Sequence, residues 1–548
     1  MNILKKISLL LLINSTFSHT YDGIDRIVKI AQFAKDSVVI SYQLTQRYLL
    51  QKDPQQQAYL NAQSALSKPF PPAAQTFKEL NAHPSDPFLM SIGTSMSQME
   101  HTDNILHPEY VSKLLYKKFH QQKNPGQWLM DRWGYVVAAT PDIFCNQCQT
   151  TTSLQNITAT DPKIKKILAI LINNKNATSL QLSKCPECKS DNIIQQPQTL
   201  HVFTDTKQNQ LAQQLRTLKV DQQPAAKNIP SYRLSIELAD IIDHDGTLNP
   251  KKLQSQATRI QQLRNPLLFM HHYTNPQCKP HLFEHADDAT WFAQQCAEIV
   301  KASPGLTHVC PISQIMGFGL QVSRQKMLPP FSCNIDQNLF LQNIVNAQVA
   351  ASAAMKKINP NLKVLVSHQW KPMKPQHNST NDPRYPLEYL VCSIADRMYN
   401  QKFVQLMQPY LDSFDGIALS VYPALYFNGI TPCGNNCSGT LDPQAALEAI
   451  VQTNKAFPNK DIYIVETGCN SSDSVVKKQF VDMTLYVCKL ARDIGIPVKA
   501  CYFWGHTNES YFEWNKLPNT SHFGAFESFT PESINEYGKY LQGILQQK

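Results

Sequence analysis

Glycine is scarce in this chain, 18 of 548 residues. There is no G-x-x-x-x-G-K-[ST] run and no strand-borne G-x-G-x-x-G. The lone Gly317-Phe318-Gly319 is too short to wrap a phosphate in backbone amides. Nucleotide-cradling enzymes are therefore excluded from the expected classes. Charge is also sparse, at 17% of residues, and Lys+Arg 51 against Asp+Glu 42 leaves a net +9. That excess is spread along the chain, with no basic run and no basic stripe interleaved with aromatics, so no nucleic-acid partner is expected. No stretch after the N-terminus approaches the roughly 18 unbroken apolar residues of a membrane helix, so no permanent membrane span is expected. What is plentiful is apolar sequence, 42% of the chain. This suits a large folded core and argues against disorder. The length alone allows roughly one to three domains.

Residues 1–18 read as a secretory signal. Lys5 and Lys6 give a positive start, residues 7–13 a short apolar run, and Thr16 and Ser18 small residues before a cleavage point. The competing reading is an N-terminal helix of the mature fold. Export, to a periplasm or the extracellular space, is the expectation. The 14 cysteines do not form a small disulfide scaffold. Four stand apart, Cys145 and Cys148 in C-N-Q-C and Cys185 and Cys188 in C-P-E-C. Paired C-x-x-C elements offer four thiolates tetrahedrally, which makes structural zinc one reading. The long gap between the pairs and the oxidising compartment keep disulfides or free thiols as the other. Neither reading gives the metal an open coordination position, so no catalytic metal or cofactor is expected.

Residues 19–50 carry helical periodicity through Ile24, Ile27, Val28, Ala31 and Ala34. A Gln/Pro/Ala-rich stretch with Pro69, Pro71 and Pro72 follows and reads as a linker or surface wrap, so residues 19–85 form an N-terminal extension. From about residue 86 short β-branched runs alternate with amphipathic ones. Strands are expected near 88–94, 232–238, 267–272, 307–312, 363–368, 416–422, 462–466 and 499–504, with helices such as 289–300, 337–357 and 475–493 between them. Eight strands separated by helices imply an α/β fold, a closed parallel (β/α)8 TIM barrel over 86–548. It is interrupted after the first strand by an insertion at 101–230 that carries both C-x-x-C pairs.

In such barrels chemistry sits at the C-terminal ends of the strands. Those ends carry Gln98 and Glu100, Arg233 and Glu237, His271 and His272, and Ser313 and Gln314. His368 and Trp370, Tyr422, Glu466, and finally Trp504, Glu513 and Trp514 complete the ring. Carboxylates beside aromatic platforms suit a sugar, whose rings stack on Trp while its hydroxyls bond Glu, Gln and His. There is no Ser/His/Asp signature and no H-E-x-x-H. Each residue alone has a structural explanation; their convergence points to a site.

At these residues the chain resembles the family 1 glycoside hydrolases, the β-glucosidase and β-galactosidase group. F-L-M-S-I-G-T-S-M-S-Q-M-E at 88–100 is similar to the family's opening strand, which implies that Gln98 binds the sugar. Y-R-L-S-I at 232–236 resembles Y-R-F-S-I and makes Arg233 a neighbour of the nucleophile. F-M-H-H-Y-T-N-P at 269–276 implies a sugar contact for His272. I-Y-I-V-E-T-G at 462–468 resembles I-Y-I-T-E-N-G, which implies that Glu466 is the catalytic nucleophile, with Tyr422 supporting it. Y-F-W at 502–504, F-E-W at 512–514 and H-F-G at 522–524 resemble the last strand and its loop. They imply substrate binding by Glu513 and Trp514, and a stacking platform at Trp504.

One departure matters. The family's fourth strand ends T-F-N-E-P, whose Glu is the general acid/base; here P-I-S-Q-I places Ser313 for the Asn and Gln314 for the Glu. An amide neither releases nor accepts the proton that the retaining mechanism passes through its second carboxyl group. Plant myrosinases in the family also carry Gln there and cleave thioglucosides, whose leaving group needs no protonation. The resemblance therefore implies a retaining β-glycosidase acting on a β-linked sugar or an activated glycoside. The alternative is a catalytically silent glycan-binding barrel. Glu237 is a surrogate acid in one reading and a salt-bridge partner in the other.

Overall fold

The computed structural model describes residues 54–82, 85–93, 135–145, 151–152, 193–204, 231–236, 238–243, 246–261, 263, 265–272, 279, 281–324, 333–377, 382–433, 441–505, 523–525 and 534–546. The chain divides into two compact units, residues 1–68 and 69–548. In the first, the helix Pro54–Ala65 carries side-chain bonds one turn apart, Gln57 to Asn61 and Gln63 to Tyr59. The signal-like residues 1–18 and the periodic stretch 19–50 lie outside the described residues.

The second unit is built on eight parallel strands: β1 (Leu89–Gly93), β2 (Tyr232–Ser235), β3 (Pro266–Phe269), β4 (His308–Cys310), β5 (Lys363–Trp370), β6 (Gly416–Val421), β7 (Asp461–Thr467) and β8 (Val498–Trp504). Each pairs with the next in sequence, and β8 pairs back to β1 over five residues. The ring closes through a single register pair, Gly93 with Arg233. This is the TIM-like barrel expected from the alternating runs. Its interior is filled by Leu267, Phe269, Cys310, Leu365, Ala418, Tyr463, Val465, Ala500 and Tyr502. These come from alternate positions along the strands, as the two-residue side-chain period requires. The buried Tyr502 hydroxyl lies 2.7 Å from Ser231 Oγ, which spares it an unpaired polar group in the core.

The outer helices begin where capping residues stand. Asp336, Asp442 and Asp473 each accept a backbone amide two or three residues on, opening Gln337–Ile358, Pro443–Ala456 and Ser474–Asp493. Gly317 and Gly319 lie inside the helix Ile315–Ser323, not in a phosphate loop. A Cβ on Gly319 would overlap the Leu341 side chain, so this glycine serves close packing against the helix Gln337–Ile358.

Two further segments lie outside the barrel strands. The proline-rich stretch contains a helix, Ala73–Leu80, that buries Ala73, Thr76, Phe77 and Leu80 against the barrel unit. The Ala73 amide donates to Asp482 Oδ1 at 2.7 Å on the helix Ser474–Asp493. Residues 69–82 are thus part of the barrel's packing and no mere linker. Within the insertion, strands Tyr135–Cys145, Thr151–Thr152 and Ile193–Thr204 form an antiparallel sheet. Its register ends on the pair Cys145 with Ile193. Cys148, Cys185 and Cys188 lie outside the described residues.

Candidate active site

Glu466 reaches the barrel mouth through a local irregularity. In the β6–β7 register Leu419 faces Ile464 but Ser420 faces Glu466, so Val465 is skipped. Ile464 and Thr467 line a small cavity against the outer helices, whereas Val465 belongs to the barrel interior. The bulge turns Glu466 to the same side as Val465, the re-aiming that bulges near sites provide. Gly468 makes room beside it: a Cβ there would lie 2.5 Å from the Trp504 carbonyl and 2.7 Å from Phe523 Cδ1.

Two side chains hold the carboxylate, and a third contacts one of them. The Tyr422 hydroxyl, one residue past β6, donates to Glu466 Oε1 at 2.7 Å. Arg233 Nη2 lies 3.7 Å from Oε2. The guanidinium is almost wholly buried, 1% exposed, against 15% for the Glu466 side chain. Its Cζ sits 4.3 Å from the Phe269 ring centroid and 4.9 Å from that of Trp504. His272 Nε2 lies 3.4 Å from the same Nη2. The guanidinium therefore presents a buried positive charge to one carboxylate oxygen while Tyr422 bonds the other. A carboxylate oriented at the mouth of an α/β barrel can act as a nucleophile or as a base.

Gln314 caps the helix Ile315–Ser323 in the left-handed conformation, φ 46° and ψ 62°. Its Nε2 donates to Ser420 Oγ at 3.3 Å. Ser420 is therefore the residue between the two key positions: it bonds Gln314 and stands opposite Glu466 in register. It was missed by motif reading, although it shares a strand face with Tyr422 two residues on. Ser313 is buried, and its amide donates to the His271 carbonyl at 2.9 Å.

Other members of the strand-end ring turn away from the mouth. His271 is enclosed by Phe283, Phe292 and Phe318, with ring centroids 4.8 to 5.8 Å from its own. His368 is fully buried, stacked 4.1 Å from Phe403, with Nε2 3.1 Å from Asn400 Oδ1. Burial, aided by nearby Lys371 and opposed by the Asn400 bond, pushes its pKa down to about 3, so the ring is neutral. Trp370 is buried beside it. These three are packing residues. Gln98, Glu100, Glu237, Glu513 and Trp514 lie outside the described residues. Among the described residues no group of three or more His, Cys, Asp or Glu could hold a metal ion, and no helix is long and apolar enough to cross a membrane.

Tyr422→Phe removes one hydrogen bond to a charged acceptor, worth about 1.5–3 kcal/mol. The expected result is a loss of folding stability of that order, read as a lowered midpoint in denaturant unfolding; an unchanged midpoint would show that the bond adds nothing to the fold.

Fold and site together define an α/β barrel with a clamped carboxylate at its C-terminal mouth. No family model matches the sequence, and no curated protein matches it. The structure is similar to a β-glucosidase from Exiguobacterium marinum, 15% identical, with a TM-score of 0.51 over 62% of this chain and 88% of that one. It is similar to a family 1 β-glucosidase from Thermotoga maritima, 13% identical, TM-score 0.51, over 61% and 86%. A third likeness is to the AHE enzyme from Alicyclobacillus herbarius, 14% identical, TM-score 0.53, over 61% and 87%. At these identities the likeness establishes the shared fold.

Proposed function

We propose that this protein is an exported, retaining β-glycosidase-like enzyme that acts on activated glycosides through Glu466. The observation that carries the reading is the clamp on Glu466 by Tyr422 and Arg233; Gln314, bonded to Ser420, is read by resemblance as standing in place of a carboxyl group. In the first step a Glu466 oxygen attacks the anomeric carbon, and the glycosidic bond breaks with its electron pair leaving on the aglycon. Gln314 supplies no proton, so the aglycon must be stable as an anion, as an aryl oxide or a thiolate is. In the second step water, or the hydroxyl of another sugar, attacks the glycosyl ester and frees Glu466. His272 and Trp504 stand beside Arg233, where a glycon would be read. Gln98, Ser313, Glu513 and Trp514 complete the proposed substrate contacts by resemblance, and no cofactor enters the chemistry.

Incubation with 2,4-dinitrophenyl β-glucoside and β-galactoside, with and without azide, tests this reading. Dinitrophenolate release accelerated by azide supports it; no release with either sugar opposes it. The second reading, a glycan-binding barrel without turnover, rests on the same Gln314 and its bond to Ser420, which leave no proton donor at that position.

For the insertion we infer a structural zinc held by Cys145, Cys148, Cys185 and Cys188. What supports it is the sheet register: Cys145 ends one strand opposite Ile193, which opens its partner. Metal analysis of protein purified without chelators is expected to give one zinc per chain. Metal-free protein without titratable thiols at these positions would mean disulfides.

A further inference from the structure

Beyond the barrel, among the described residues, stands a three-stranded sheet of Met373–Pro375, Leu425–Asn428 and Thr431–Cys433. Its first strand begins shortly past Trp370, the end of β5, and its second shortly past Val421, the end of β6. The sheet therefore rises from the C-terminal rim over β5 and β6. In ring order these two strands separate β4, which leads into Gln314, from β7, which carries Glu466. The wall thus spans the arc of the mouth between the two positions.

The wall is fastened by one buried carboxylate. Glu388, 0% exposed, lies on the helix Tyr385–Asp396 that packs on the sheet. Its Oε1 accepts from Gly429 N at 2.9 Å and from His377 Nδ1 at 2.7 Å, and its Oε2 accepts from His377 N at 2.9 Å. Gly429 belongs to the turn that follows β6's extension and has φ +60°, which glycine adopts without strain. His377 belongs to the segment that follows β5's extension. One side chain therefore ties both halves of the wall to one helix. Burial pushes the carboxyl upward, but the two amides and the imidazole outweigh it and hold the pKa down at about 2. Asp382 and Arg384 are the other charged groups near this latch. The same helical run continues to Tyr399, whose hydroxyl lies 3.7 Å from where a Cβ on Gly317 would stand, in the helix that Gln314 caps.

A buried carboxylate held by hydrogen bonds is a poor way to gain stability compared with apolar packing; the best-attested use of such groups is to fix one geometry among several. We propose that Glu388 is a positioning residue that holds the wall on the leaving-group side of the site, so that the latch sets how tightly an aglycon, and not the sugar, is held. The proposal rests on the glycosidase reading for which side of the mouth receives the leaving group.

The test compares binding of phenyl 1-thio-β-glucoside and 1-thio-β-galactoside with binding of free glucose and galactose, by calorimetry, in the wild type and two variants. Glu388→Gln places an amide N–H against a backbone N–H, leaving a donor unpaired. It is expected to weaken the phenyl thioglycoside about tenfold and free sugar by less than about twofold. His377→Ala removes only the imidazole bond from a side chain 22% exposed. It is expected to act in the same sense by about threefold, and it decides the matter if Glu388→Gln does not fold. Equal loss for both ligands, no loss for either, or a wild type that binds the phenyl thioglycoside no better than free sugar would overturn the proposal. Labelling of Glu466 by a 2-deoxy-2-fluoroglycosyl fluoride separates the two claims. Labelling without aglycon discrimination defeats the wall alone, whereas discrimination without labelling defeats the glycosidase reading alone.

Discussion

Glu466→Gln is expected to lower dinitrophenyl glycoside cleavage by at least about 10³-fold, the order seen when a covalent catalyst loses its nucleophile. The argument is geometric. Tyr422 and Arg233 address the two oxygens of one carboxylate, which orients it. Gln keeps the shape and the Tyr422 bond but has little nucleophilicity and no charge to pair with Arg233. The loss should therefore fall on turnover, with aryl thioglycoside binding weakened far less. Equal turnover in variant and wild type would remove Glu466 from the chemistry.

Gln314→Glu is expected to raise hydrolysis of glycosides with poor leaving groups, such as methyl or disaccharide aglycons, by about 10²- to 10⁴-fold. Glu is isosteric with Gln, and the bond to Ser420 survives with its direction reversed, the Ser420 hydroxyl now donating. Desolvation raises the pKa of a half-buried carboxyl group, which suits it to act as an acid. For dinitrophenyl glycosides the first step gains little, since that leaving group needs no proton. The second step gains a base, so azide should no longer accelerate the reaction. A variant that folds but gains nothing on poor leaving groups would show that position 314 does not face the glycosidic oxygen.

Much of this architecture was legible in the residues. The eight β-branched runs mark all eight barrel strands, and the helices expected at 289–300, 337–357 and 475–493 appear as Asp288–Ala302, Gln337–Ile358 and Ser474–Asp493. The helix Ala73–Leu80 was written in its i, i+3, i+4, i+7 spacing of Ala73, Thr76, Phe77 and Leu80, but the three prolines before it dominated the composition. The site was legible only in part. Motif order pointed to Glu466, Tyr422 and Arg233, which the structure brings together. Position at a strand end does not say which way a side chain faces, so His271 and His368 stood beside His272 in the sequence ring and separate from it in space. The skipped Val465 is a pairing event between two strands and leaves no mark in either one. The rim sheet joins a three-residue strand to a short hairpin far along the chain, all too short for any period. Its latch joins Glu388, His377 and Gly429, partners that only the fold brings together.

The most direct measurement is mass spectrometry of the protein after reaction with 2,4-dinitrophenyl 2-deoxy-2-fluoro-β-glucoside and the matching galactoside. These reagents need no acid to leave, and their fluorine slows release of the glycosyl ester. The account predicts one fluoroglycosyl adduct per chain, on the peptide that carries Glu466, and none in Glu466→Gln. Saturable binding of both reagents without any adduct would contradict it and leave a barrel that holds sugar but does not cleave it.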